Sequence, residues 1–167
     1  MTPATARSIL VGYDHSDEAG AGLRRAAALA VTHRAQLTVV HVAVPPPTWV
    51  SVGLMAMPLL EDEVCCGEAL VRDAVARLPR ELAVRWHLIS GPDACAGMGR
   101  ARCVRRALLR ALDAGGHDLL VVGTGLRPGR VARGLARRCP DRLLVAPYAD
   151  PAHAPTAAPP SARPLSA

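Results

Sequence analysis

Residues 118–147, DLLVVGTGLRPGRVARGLARRCPDRLLVAP, restrict the choice of fold more than any other stretch of the chain. An apolar run at 119–122 breaks at Gly123-Thr124-Gly125, an arginine-rich segment follows, and a second apolar run lies at 143–145. A run this short, stopped by glycine and followed by a helical pattern, predicts a buried parallel strand feeding a loop and a helix. In open α/β sheets ligands collect beyond the carboxyl ends of such strands, where glycine lets backbone N–H groups approach an anion. Gly123, Thr124 and Gly125 are therefore candidate binding residues.

The rest of the chain repeats this alternation. Residues 8–13 (SILVGY) form a first short apolar run, ended by Asp14-His15-Ser16-Asp17-Glu18. A serine followed by acids marks a helix start, with Ser16 as the N-cap. Ala19, Leu23, Ala26, Ala27, Ala30 and Val31 then recur at helical spacing, and residues 36–44 (QLTVVHVAV) read as a second strand. Strand, helix and strand in this compass make a βαβ unit with a right-handed crossover.

Residues 45–59, with Pro45, Pro46, Pro47, Gly53 and Pro58, are expected to loop over the carboxyl edge, where Trp49, Met55 and Met57 pack the sheet edge or cap a pocket. A second helix runs from Leu60 to just before Pro79. Leu82, Val84, Trp86 and Leu88 alternate with Ala83, Arg85, His87 and Ile89, which predicts a third strand with one more polar face. A turn at 90–93 and a helix from about Gly99 to Ala114, stopped by Gly115-Gly116, lead back to the strand at 119. A short helix over 129–139 and a fifth strand over 142–146 complete one domain, residues 7–147, with five parallel strands and helices on both faces. The Pro- and Ala-rich tail, 148–167, is expected to be disordered.

Composition bounds the chemistry. Half of the 167 residues are hydrophobic, yet there is no Phe and only two Trp and two Tyr, so the core must be aliphatic. All twenty basic residues are arginine; against fourteen acids they give a net charge of +6, which attracts anions. Five cysteines with no CxxC pair fit neither a disulfide framework nor a zinc site and point to a reducing compartment. No apolar stretch approaches the roughly 20 residues that span a bilayer, and no secretory pattern opens the chain, so a cytoplasmic protein is expected.

In this order, several segments resemble the universal stress protein family. SILVGYDHSDEA at 8–19 is similar to the family's first strand, Asp-Gly-Ser turn and helix start; LTVVHV at 37–42 to its second strand; SGPD at 90–93 to its Gly-Asp-Pro turn; and DLLVVGTG at 118–125 to the strand that enters its nucleotide loop. The resemblance implies a Rossmann-like sheet of order 3-2-1-4-5, of the adenine nucleotide alpha hydrolase kind, a homodimer paired through the last strand, and a site for ATP or AMP. Asp14 would meet the adenosine end, Val42 would offer backbone contacts to the base, and Gly123, Gly129 and Arg130 would border the phosphates. The family pattern is Gly-x-x-Gly, a longer spacer, then Gly-Ser or Gly-Thr. Here the loop is shorter, Arg130 stands at the hydroxyl position, and His15 replaces the glycine of the first turn, adding bulk beside the adenosine pocket. The stretch between Gly91 and Asp118 is longer than the family norm.

Two readings of the arginines stay open. Arg127, Arg130, Arg133, Arg137, Arg138 and Arg142 form a solvated face, or Arg127 and Arg130 replace lost backbone donors on a phosphate. Nucleic acid is the poorer partner, because aromatic stacking platforms and a helix-turn-helix or zinc module are missing. His41 reads as a core histidine, and no Ser-His-Asp arrangement or metal constellation can be assembled. The expectation is a stress-response module that acts by ligand or partner binding, not turnover, and without tight ATP binding; the alternative is an ATP or AMP sensor with little or no hydrolysis.

Overall fold

The computed structural model describes residues 6–44, 57–90, 99–125 and 127–148. Five strands, β1 (Ser8–Gly12), β2 (Gln36–Val42), β3 (Val84–Ile89), β4 (Leu119–Thr124) and β5 (Leu143–Pro147), alternate with four helices, α1 (Asp17–His33), α2 (Met57–Ala76), α3 (Arg100–Ala114) and α4 (Arg130–Ala136). The strands pair in parallel in the order β3-β2-β1-β4-β5. The expected sheet order and the expected parallel pairing are both present.

The period of two along each central strand divides the core between the faces of the sheet. Ile9, Val11, Leu37, Val39, Leu119 and Val121 point to one side, under Leu23, Ala26, Ala27 and Ala30 of α1 and Val71 and Ala74 of α2. Leu10, Val40, Val42, Leu120 and Val122 point to the other, under Cys103, Ala107, Leu108 and Leu112 of α3 and Ala132 and Leu135 of α4. Each fully buried Val or Leu contributes roughly 1.5–3 kcal/mol. This distribution is the one right-handed crossovers impose: the chain steps outward through β2 and β3, returns past β1, and steps outward the other way through β4 and β5. β1 and β4 are thus neighbours whose connections leave in opposite directions, and a crevice opens above their carboxyl ends.

The helices begin and end as their sequences dictate. Ser16 caps α1, its hydroxyl accepting the Ala19 N–H at 3.1 Å, and Asp17 and Glu18 sit in the positive first turn. Arg34 closes it in the left-handed region at φ 51°. Some boundaries differ from expectation. α2 opens at Met57 rather than Leu60, while Trp49 and Met55 lie outside the described residues. α4 is shorter than the expected 129–139, and Pro140–Arg142 form a 3-10 turn before β5. Val31, counted on the buried stripe of α1, is 49% exposed. Cys65, Cys66 and Cys139 are free, but Cys103 is disulfide-bonded, against the expectation of a fully reduced set. Residues 149–167, where a disordered tail was expected, lie outside the described residues.

At the amino edge of the sheet the polar groups are tied together. One Asp118 carboxylate oxygen accepts the Arg7 N–H at 2.8 Å and the Ser8 N–H at 3.0 Å. The Ser8 hydroxyl pairs with His117 Nδ1 at 2.6 Å. Arg142 donates to the carbonyls of His117 (2.5 Å) and Leu112 (3.3 Å) and to Asp113 Oδ1 (3.1 Å).

Candidate functional site

The crevice above β1 and β4 encloses about 1020 Å³ and is walled by the first turns of α1, α3 and α4. Asp14, Val42, Gly123, Thr124, Gly125, Gly129 and Arg130, the seven candidates from the sequence, all line it. They come from four separate segments of chain, and the topology gathers them at one point.

The turn after β1 orients the acidic lip. Asp14 Oδ1 accepts both the Ser16 N–H (3.2 Å) and the Ser16 hydroxyl (2.6 Å), while that hydroxyl caps α1. The carboxylate is thereby fixed, and Oδ2 has no partner among the described residues. His15 adopts φ 70°, a left-handed conformation that glycine enters without penalty and that costs other residues roughly 1–2 kcal/mol. Its ring lies edge-on to Tyr13, with centroids 6.2 Å apart, and does not line the crevice. The expected crowding by His15 is therefore not seen; Tyr13 borders the space instead. Burial raises the Tyr13 pKa, with the Arg77 charge opposing, so its hydroxyl stays a donor at neutral pH. His41 Nδ1 donates to the Tyr13 carbonyl at 2.8 Å and anchors the turn from below, the structural role expected of it.

The glycine loop serves packing as well as access. A Cβ on Gly123 would collide with the Glu18 carbonyl, and one on Gly22 would stand 2.7 Å from the Gly123 nitrogen. α1 therefore rests directly on the β4 backbone, and only glycine fits at either contact. The Thr124 hydroxyl donates to the Arg127 carbonyl at 3.2 Å, and the Thr124 carbonyl accepts the Tyr148 N–H at 2.7 Å. The Glu18 carboxylate reaches over the loop, with Oε1 3.3 Å from the place a Gly125 Cβ would occupy. A carboxylate at the spot where backbone donors would meet a phosphate repels that phosphate.

Sequence patterning missed the facing wall. Arg100, Arg102 and Arg105 of α3 line the same space as Arg127 and Arg130. In the sequence they merely fill helical positions that the apolar stripe leaves free, and only the fold reveals that they line the cavity. The site thus has an acidic lip, Asp14 and Glu18, and a basic wall. Among the described residues no group of three His, Cys, Asp or Glu side chains is placed to hold a metal. No helix among them is long and apolar enough to cross a membrane.

An open parallel sheet with its crevice at a β1/β4 switch point is a doubly wound α/β fold, in which ligands bind at such a crevice. The sequence profile of the universal stress protein family matches residues 5–147, and the chain belongs to that family. No curated protein matches the chain at a significant level. Among solved structures, a universal stress protein family member from Burkholderia pseudomallei is 27% identical, with 85% of this chain and 96% of that one covered and a TM-score of 0.63. A universal stress protein in complex with cAMP is 22% identical, covering 85% and 97%, with a TM-score of 0.56. One from Archaeoglobus fulgidus in complex with dAMP is 19% identical, covering 83% and 95%, at 0.50.

Proposed function

We propose that this universal stress protein is a stress-response module that works by binding a phosphorylated ligand of the adenine nucleotide class in the β1/β4 crevice, without turnover. The observation that carries this reading is the convergence of Asp14, Val42, Gly123, Thr124, Gly125, Gly129 and Arg130 on one space at the switch point. Fixed by Ser16, the Asp14 carboxylate is suited to accept ribose hydroxyls, and the buried Val42 walls the apolar part. Proteins of this fold in complex with cAMP and dAMP lend support. The glycine loop is a poor triphosphate cradle: Gly123 is consumed by packing, the Thr124 hydroxyl is engaged, and Glu18 is inserted. ATP binding on the order of 100 µM is expected, far from nanomolar affinity. Among the described residues no group of three His, Cys, Asp or Glu side chains could hold a metal, the Ser16 and Thr124 hydroxyls are both hydrogen-bonded, and no phosphate release is expected.

Calorimetric titration with AMP and ATP, with phosphate release assayed in parallel, tests this. Sub-millimolar binding that weakens about tenfold in Asp14→Ala, with no hydrolysis, is the expected result. Failure of folded, nucleotide-free protein to bind at millimolar ligand, or steady turnover, would overturn it. The same reading carries a cytoplasmic homodimer paired through β5, where Leu143, Leu144 and Val145 are only half-buried, with residues 7–147 as the folded unit and 148–167 as an appended tail. Sedimentation should then give twice the 17.5 kDa chain mass.

A further inference from the structure

We infer that the anionic end of the ligand is held by the arginine wall of α3 and α4, with Arg105 at its centre, and not by the glycine loop. This rests on the crevice reading above and names the subsite within it.

The charges around the crevice are segregated. Asp14 and Glu18 stand on the α1 side, with Glu18 against Gly125; Arg100, Arg102, Arg105, Arg127 and Arg130 stand on the other. None of these five guanidinium groups has an ion pair or hydrogen bond among the described residues, whereas those of Arg77 and Arg142 are each paired to a carboxylate. Like charges gathered with no counter-ion repel one another, and a multivalent anion relieves that repulsion. Such a wall suits a phosphate or pyrophosphate group, whose several oxygens can take bidentate guanidinium contacts.

Arg105 differs from its neighbours in being positioned by the fold. It is half-buried, and its stem crosses α4 at Gly134, where a Cβ would stand 2.7 Å from Arg105 Cδ and 2.5 Å from Nη1. Gly134 is buried, and its missing side chain leaves the space that Arg105 Cδ and the guanidinium occupy against α4. A side chain already confined loses less entropy on gripping a ligand than a free surface arginine does. The polarity of the crevice then orients the ligand: hydroxyls toward Asp14, phosphate toward α3 and away from Glu18.

The test is titration of the full chain, at constant ionic strength, with adenosine, AMP, ATP and inorganic triphosphate. Arg105→Ala should weaken ATP and triphosphate about tenfold and leave adenosine unchanged, and Arg105→Lys should recover only part of the loss. Gly134→Ala, which displaces the guanidinium without removing it, should reproduce the loss; Glu18→Gln should strengthen ATP a few-fold, about threefold. Thermal melts establish that each variant is folded, and Glu18→Gln keeps the test decisive should either helix variant fail to fold. If adenosine and AMP bind while neither the Arg105 nor the Glu18 substitution moves ATP or triphosphate, the arginine assignment falls and the crevice reading stands. If triphosphate binds through Arg105 while adenosine and AMP do not, the anion subsite stands and the nucleoside reading falls. Binding of none of the four overturns both.

Discussion

The two edges of the sheet treat charge in opposite ways. At the amino edge Asp118, His117 and Arg142 are joined to one another's strands and turns, and the backbone donors of Arg7 and Ser8 end on a carboxylate. At the carboxyl edge five guanidinium groups face a cavity without partners among the described residues, and Asp14 keeps one oxygen open. Saturated polar groups stabilise the fold and leave no valence for a ligand; unsaturated ones cost stability and keep it. On the function proposed above, one edge carries stability and the other recognition, and substitutions should separate them.

The largest effect should come at Gly123, where the carboxyl edge is packed against the backbone of α1. Gly123→Ala forces a methyl into the backbone of α1 and should cost about 3 kcal/mol or more in urea unfolding; tolerance of it would show that α1 can lift from β4. Asp118→Ala, at the amino edge, removes a charged acceptor from two backbone donors and should cost about 2 kcal/mol. A smaller effect is expected from acid. Burial, foremost, and the His87 charge lower the His117 pKa below the ordinary 6.5, Asp118 pulls it up, and Arg142 lowers it again. The unfolded chain therefore binds the proton more readily, so stability should be full above pH 6.5 and decline as pH falls through that value. The wild-type urea midpoint should drop between pH 7 and 5 more than that of His117→Gln. Smallest of all, Arg130→Ala should change stability by no more than about 0.5 kcal/mol, because it severs no internal contact. A large loss there would erase the distinction between the edges.

Much of the fold was legible because burial follows period. The strands, the Ser16 cap and the buried stripes of α1 and α3 follow from spacing alone, whereas the strand order came from resemblance, since periodicity carries no pairing information. What spacing cannot see is contact between elements. Val31 sits at helical register, yet it is exposed among the described residues. Gly22 and Gly123 reveal their purpose only when α1 lies on β4, and Gly134 only when Arg105 crosses it. Gly123, Thr124 and Gly125 were named because they follow a strand end, and Asp14, Val42, Gly129 and Arg130 through the family resemblance; all seven line the crevice. The α3 arginines were not named, because a cavity-facing arginine and a solvated one occupy the same helical positions in a sequence.

The most direct measurement is backbone amide chemical-shift mapping of the folded chain titrated with AMP. Shifts should concentrate at Tyr13, Asp14, Val42, Gly123, Thr124, Gly125, Arg127, Gly129, Arg130 and the first turns of α3, and leave Arg7, Ser8, His117 and Asp118 unmoved. Saturable shifts centred on the amino edge, or none at millimolar AMP, would contradict the assignment of recognition to the carboxyl edge.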